Sequence, residues 1–271
     1  MARRRTQTIL VTRVDGDRRV RRPDELIVEE PMSIQLDGTL VSTTMRTPGN
    51  DYELAVGFCH AEGLLDGAAV TGVRYCADGS AVDSEFNVVT VETGGRAPVP
   101  TPRLGTTSSS CGVCGSAALD ALTDRLSPLP REQLSTIPLD VLVSVAGSVL
   151  SGQGLFTATG AVHAAAAFDA DGTPLVVRED VGRHNAVDKV VGRLLLDGRL
   201  PAYRMGLFLS GRASFEMVQK AWAAGFGSVV AVSAPTALAV STARTSGITL
   251  VGFVRGDRYN VYSPERIGGD S

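Results

Sequence analysis

The chain has 271 residues, a length that suits one compact unit or two lobes sharing an interface. Hydrophobic residues make up 44% and charged residues 20%, as in a globular protein in water. An aromatic share of 5% and a formal charge of −3 argue against a stacking platform for single strands and against a nucleic-acid protein as a whole. Of the 26 basic residues only Lys189 and Lys220 are lysine.

No stretch approaches the roughly 18 to 20 apolar residues that span a bilayer. The opening MARRRTQTILV has an apolar run far shorter than the about 7 to 15 residues of a secretory signal. The expected compartment is the cytoplasm, where four sparse cysteines stay reduced. Residues 1–22 hold eight arginines against Asp15 and Asp17, so the remainder is clearly acidic. This segment is expected to be a basic, flexible, solvated arm, or alternatively one that meets an acidic partner or a phosphate.

Residues 25–30 are expected to form a strand. Ser33–Leu36 and Thr39–Thr43 flank Asp37-Gly38, a strong hairpin signal. Asn50 or Asp51 caps a predicted helix to about Leu64, and Val70–Tyr75 and Phe86–Val91 are strand-like. From Thr93 to Ser110 the chain is rich in Gly, Pro, Thr and Ser without apolar period, which predicts a long loop. Helices are expected from near Cys114 to Leu126 and from Pro138 to about Leu150, and strands over Ala161–Phe168 and Pro174–Val177. The last third alternates: helices Asn185–Leu196, Ser214–Ala224 and Thr236–Ser246, strands Met205–Leu209, Ser228–Val232 and Ile248–Val254. Gly198, Gly225 and Gly247 sit where helices stop. The pattern predicts a largely parallel sheet with helices on both faces. The expected division is an arm over 1–22, an N-terminal α+β lobe over 23–104, and a C-terminal α/β domain over 105–271.

In such a sheet the loops Ser210-Gly211-Arg212, Ser233–Thr236 and Arg255-Gly256-Asp257-Arg258 emerge at one edge, where open α/β sheets bind ligands. Two run into helix N-termini, and Arg212, Arg255 and Arg258 add charge suited to phosphate. Ordinary connecting turns with surface arginines are the alternative.

Cys111-Gly112-Val113-Cys114-Gly115 admits three chemistries. A structural zinc site needs two further ligands, and Cys59, Cys76, His60, His163 and His184 are scattered. A thioredoxin-like redox pair normally follows a strand, whereas a Ser/Thr-rich loop precedes this motif. A sulfur-carrying thiolate is the third: a helix start near Cys114 lowers a thiol pKa, the glycines allow close approach, and a thiolate can retain sulfur as a persulfide. Cys59 and Cys76 are expected to be small core residues.

The sequence resembles the FdhD family, the formate dehydrogenase accessory sulfurtransferases. The resemblance runs from about residue 24 onward: VEEP (28–31), TMRTPGNDYELAVGF (44–58), SSCGVCG (109–115), TGAVHAA (159–165), REDVGRHNAVDK (178–189), SGRASFEMVQK (210–220), SAPTALAV (233–240) and TLVGFVRGDRYNVY (249–262). The resemblance implies a carrier that takes sulfur from a cysteine desulfurase and passes it to the bis-molybdopterin guanine dinucleotide form of the molybdenum cofactor, for the formate dehydrogenase catalytic subunit. It maps the persulfide onto Cys111, with Cys114 as partner, and the cofactor-binding segment onto Phe253, Val254, Arg255, Gly256, Asp257 and Arg258. It further implies a homodimer and a C-terminal three-layer, cytidine-deaminase-like fold without a metal of its own. Deaminase chemistry itself is not expected: His163 is followed by two alanines instead of H-x-E, and Ser110 stands where P-C-x-x-C has proline. A non-catalytic chaperone for the same cofactor, with structural cysteines, is the alternative.

With the resemblance in view, Ser210, Gly211, Arg212 and His184 are expected around the cofactor. Asn185 is the predicted N-cap of its helix, His163 is read as structural or as backing the residues that touch the ligand, and His60 as structural or exposed. Thr44–Thr47 are expected at a cleft between lobes, with Arg46 either facing it or in a surface ion pair. Lys189 and Lys220 are read as buried ion pairs supporting the ligand loops, or alternatively as ligand contacts.

Overall fold

The computed structural model describes residues 4–76, 81–82, 84–100, 125–263 and 267–268. The predicted arm is instead, for most of its length, a β-hairpin. β1 (Thr6–Asp15) and β2 (Arg18–Ile27) pair antiparallel, with Gly16 at φ +57° in the turn. The Thr, Ile and Val of β1 have the branched side chains that strands favour. The arginine density obscures that signal in the sequence.

The N-terminal lobe is a four-stranded sheet in the order β4-β3-β6-β5. Its strands are β3 (Glu30–Leu36), β4 (Thr39–Arg46), β5 (Gly72–Tyr75) and β6 (Val88–Glu92). The β3–β4 turn is Asp37-Gly38, both at positive φ, as a two-residue hairpin requires. Thr93 N–H donates to the Asp37 carboxylate at 2.7 Å, tying this turn to the end of β6. Helix α1 (Asp51–Ala61) covers the sheet, burying Leu54, Val56 and Cys59 against Met32, Ile34 and Val91.

The C-terminal domain is built on a six-stranded sheet, β13-β12-β11-β10-β8-β9. Its strands are β8 (His163–Phe168), β9 (Pro174–Asp180), β10 (Gly206–Leu209), β11 (Ser228–Ala231), β12 (Thr249–Arg255) and β13 (Arg258–Ser263). Only β10, β11 and β12 run parallel; β8, β9 and β13 are antiparallel to their neighbours. The sheet is therefore mixed, not largely parallel. β8 and β9 are joined by a tight Asp-Gly turn with no crossover helix, and such a link forces antiparallel pairing.

Alternation sorts the strand side chains onto two faces. Leu207, Leu209, Val229 and Leu250 pack with α4 (Arg183–Leu196), α5 (Phe215–Ala224) and α6 (Ala237–Ser246). Phe208, Val230, Val251 and Phe168 pack with α2 (Leu139–Ser151) on the other side. The result is a three-layer α/β arrangement. A 3-10 turn (Arg131–Gln133), a short helix, α3 (Gly154–Thr159), and a two-residue strand pair, β7 (Ile137–Pro138) with β14 (Ile267–Gly268), complete the described elements. No helix among the described residues is long and apolar enough to cross a membrane.

The two lobes meet where α1 lies on α4. A Cβ on Gly57 would stand 1.8 Å from the Asp188 carbonyl oxygen, and one on Gly192 1.8 Å from that of Glu53. The helices therefore touch backbone to backbone, an approach only glycine allows.

Candidate functional site

The parallel trio β10, β11 and β12 brings its three following loops to one edge, as predicted. Backbone hydrogen bonds knit them together. Ser233 N–H donates to Gly211 O at 3.3 Å, Ala213 N–H to Ala234 O at 3.2 Å, and Phe253 N–H to Ser233 O at 3.2 Å.

Phe253 stands out on this rim. Its φ is +56°, a left-handed conformation uncommon for an aromatic residue, at an irregularity where β12 and β13 shift register. Its side chain is 43% exposed. Bulges often re-aim a side chain, and a strained residue persists only when its surroundings hold it. Here the Ser233 carbonyl and the close packing of Gly252 on Pro235, where a Cβ would meet Cδ at 3.1 Å, supply that hold.

The neighbouring predicted residues divide. Arg255, Gly256, Asp257 and Arg258 are exposed, with Gly256 at φ +61° in the turn between β12 and β13. Val254 is not on the rim: it is 1% exposed and packs in the core beneath α2. Val251, three residues earlier, packs in the same cluster, so the irregularity at Phe253 resets the pleat and turns Val254 inward. Gly211 and Arg212 lie on the loop after β10, with Arg212 exposed. The Ser210 hydroxyl oxygen accepts from Ala164 N–H at 2.8 Å and so continues the β8–β10 ladder.

A second group gathers beside Gly211. A Cβ there would lie 3.2 Å from His163 Nδ1, which places that histidine against the loop. Burial, then the charges of Arg183 and His184, hold the His163 pKa below its ordinary value, so the ring is neutral at pH 7. His184 stands in the first turn of α4, and its Nε2 lies 3.4 Å from Glu216 Oε2. Ser214 Oγ donates to the same oxygen at 2.8 Å. The His184 contact and the Ser214 hydrogen bond outweigh burial and bring the Glu216 carboxyl down to about 2. His184 Nδ1 and Arg183 Nε are buried with no hydrogen-bond partner among the described residues. The cluster can therefore offer donors to an anion or accept a proton at a ring nitrogen. His163 and Glu216 were not singled out in the sequence as site residues. Their only signal there is position, at the start of a strand and in the first turn of a helix that flank one loop.

The two lysines lie behind this rim, fully enclosed. Lys189 Nζ sits 2.6 Å from Asp180 Oδ2 and donates to Thr47 O at 2.9 Å. Asp180 also accepts from Thr47 N–H, Gly182 N–H and Asn185 Nδ2. Burial pulls the Lys189 pKa down against the pull of Asp180. Lys220 Nζ reaches Asp188 at 2.7 Å and Glu62 at 3.7 Å. Burial opposes its charge, but the two carboxylates outweigh it and raise its pKa. Asp188 is also pushed up, by burial first, because it shares one ammonium with Glu62. Both lysines thus serve as ion-paired supports between lobes.

Two local expectations give way. Arg46 is 0% exposed, not in a surface pair: it chelates Asp51 at 3.1 and 2.9 Å and also bonds Glu30 and Asn87. Asn185 is not the N-cap of α4. Gly182 holds that position, and the Asn185 amide bridges Asp180 and the Met45 carbonyl. A polar residue with two long-range partners gains more inside the seam than at a helix end. His60 is structural, its Nε2 lying 3.1 Å from the Ala223 carbonyl.

Cys111 and Cys114 lie outside the described residues, as does most of the helix expected after them. Cys59 and Cys76 are buried, and burial pushes the Cys59 thiol up to about 12, far from a reactive thiolate. No group of His, Cys, Asp and Glu that could hold a metal ion occurs among the described residues.

Comparison with known proteins converges. The model of the FdhD/NarQ family matches residues 27–268. A protein of Nocardia farcinica named sulfur carrier protein FdhD is 46% identical over 97% of this chain and 95% of its own length. The protein of that name from Mycobacterium tuberculosis is 46% identical over 93% of this chain and 95% of its own. A solved structure from Desulfotalea psychrophila, whose proposed role is that of a formate dehydrogenase accessory protein, superposes with a TM-score of 0.79. It is 25% identical and covers 98% of this chain and 100% of that chain.

Proposed function

The chain belongs to the FdhD/NarQ family, and on that premise we propose that it is a sulfur carrier for the maturation of formate dehydrogenase. In this reading the Cys111 thiolate attacks the terminal sulfur of a cysteine desulfurase persulfide. A bond forms between Cys111 Sγ and that sulfur, the donor's sulfur–sulfur bond breaks, and the donor cysteine leaves as a thiolate with no net redox change. Cys114, three residues on, is the partner thiol of the motif. The terminal sulfur is then handed to the bis-molybdopterin guanine dinucleotide molybdenum cofactor, which is substrate and cargo: the sulfur–sulfur bond to Cys111 breaks, Cys111 leaves as a thiolate, and the cofactor in its reduced form supplies the two electrons that bring the sulfur to the sulfide level before the cofactor enters the dehydrogenase's catalytic subunit. Reduced thiols make the cytoplasm the fitting compartment.

The observation that supports the cargo site is Phe253. An exposed aromatic ring, fixed in a left-handed bulge beside Arg255 and Arg258, offers a base-stacking face next to two guanidinium groups. The Gly211–Arg212 loop and His184 form the far side of the same edge. A guanine nucleotide end, with its planar base and phosphates, has the matching chemistry.

Mass spectrometry of the full chain after incubation with a cysteine desulfurase and cysteine tests the carrier half. A gain of about 32 Da on Cys111, absent from Cys111→Ala, is the expected result. An unmodified Cys111 in a chain that still binds guanine nucleotide would reduce the role to cofactor delivery.

A further inference from the structure

Resting on the guanine reading of the rim, we propose that Arg183 and His184, with Glu216 positioning the histidine, form a receptor for a diphosphate group, that of a nucleotide whose base lies at Phe253. Neither Arg183 nor Glu216 has a task in the sulfur-carrier reading.

The two nitrogens that carry the inference are Arg183 Nε and His184 Nδ1, both shielded from solvent and without a hydrogen-bond partner among the described residues. A shielded polar group without a partner is costly, so two side by side in sequence call for a group that satisfies both. Both residues are only partly enclosed, so a ligand at the surface can reach them. The carboxylates at hand are engaged. Asp180 takes Lys189, Asn185 and two backbone amides. Glu216 takes His184 and Ser214. Neither is left for Arg183, whose charge faces the same place.

Glu216 decides what His184 offers. The carboxylate can only accept, so the proton of the ring sits on Nε2, and its negative charge offsets that of an imidazolium. An imidazolium held in this way donates from Nδ1 as well. Ser214 fixes the carboxylate in turn, at 2.8 Å.

The backbone adds to the field. The first intrahelical hydrogen bond of α4 runs from Ala186 N–H to Gly182 O, so the amides of Arg183, His184 and Asn185 point out of its end. No side chain caps α4 or α5, whereas Thr236 caps α6 by accepting from Ala239 N–H. The His184–Glu216 contact sets the first turns of α4 and α5 side by side, with two positive helix ends toward one anion. The loop after β10 lies two strands from β12, so this place is about 10 Å from Phe253 at ordinary strand spacing, the order of length that a ribose puts between a base and its diphosphate.

Calorimetry of the full chain with guanosine diphosphate, guanosine and inorganic pyrophosphate tests this. Arg183→Gln and His184→Gln should each bind guanosine diphosphate and pyrophosphate about tenfold more weakly, and guanosine as the wild type does. Glu216→Gln keeps the shape and removes the charge. It should weaken pyrophosphate by a smaller factor, about threefold, again with guanosine unchanged. A merely structural role would lower all three affinities together. Such a uniform loss, or pyrophosphate binding that is absent from the wild type or equal in all the variants, would overturn the proposal. Guanosine that fails to bind the wild type, with pyrophosphate still lost in the variants, would overturn the guanine reading and leave the oxyanion receptor standing.

Discussion

Two regions of this molecule concentrate charge in opposite ways. In the interior, Arg46 within the N-terminal lobe and Lys189 and Lys220 in the seam between lobes are enclosed, and each holds a carboxylate within hydrogen-bond reach. On the loop edge, Arg212, Arg255 and Arg258 are exposed, and no hydrogen bond or ion pair joins their side chains to other described residues. The seam has satisfied its charges internally and can lose none without leaving its partner buried alone. The rim holds its charges in water. A cation's place in the fold, more than its identity, tells which task it has.

The largest expected effect comes from breaking the seam. Lys189→Met leaves Asp180 buried without its counter-charge and should cost about 3–5 kcal/mol in urea unfolding. A loss near that of a surface substitution would mean the seam is not the support described. Gly57→Ala forces a methyl into the Asp188 carbonyl and should cost about 1–3 kcal/mol by the same measurement.

Glu216 lies between the two regions and sharpens the contrast through pH. Its carboxyl stands at about 2, below the ordinary 4.5, so the stability it contributes is present above about 4.5 and fades as pH falls toward 2. Glu216→Gln should flatten that part of the acid limb in thermal melts by lowering stability above about pH 4.5. An unchanged acid limb would place the source elsewhere.

The smallest stability effect belongs to the rim. Arg255→Ala/Arg258→Ala should unfold within about 0.5 kcal/mol of the wild type. The same variant should bind guanosine diphosphate about tenfold more weakly by calorimetry. A large loss of stability would erase the distinction between rim and seam, and unchanged affinity would remove these arginines from the ligand site.

Much of the frame is legible in the sequence because its signals are local. Alternation of strands and helices after residue 200, the Asp37-Gly38 turn and the stops at Gly225 and Gly247 all act within a few residues. The three loops share an edge once the strands between them are known to be parallel. What stays hidden is non-local. Gly57 and Gly192 are ordinary mid-helix residues until α1 and α4 cross. Arg46 gives no hint of burial until Asp51, Glu30 and Asn87 converge on it. Phe253 and Val254 share one motif, yet one backbone irregularity turns the first outward and resets the pleat so that the second enters the core. The hairpin over residues 6–27 is the reverse case, where composition suggests flexibility and strand propensity prevails.

The crossing of α1 on α4 also limits how the molecule can move. Two helices meshed through paired glycines, with side-chain locks on both flanks, have no soft layer along which to slide. The N-terminal lobe and the domain that carries the rim should travel as one rigid body. If the rim takes the ligand proposed for it, loop conformation there must do the accommodating, and a bound guanine nucleotide should leave amide exchange in α1 and α4 unaltered.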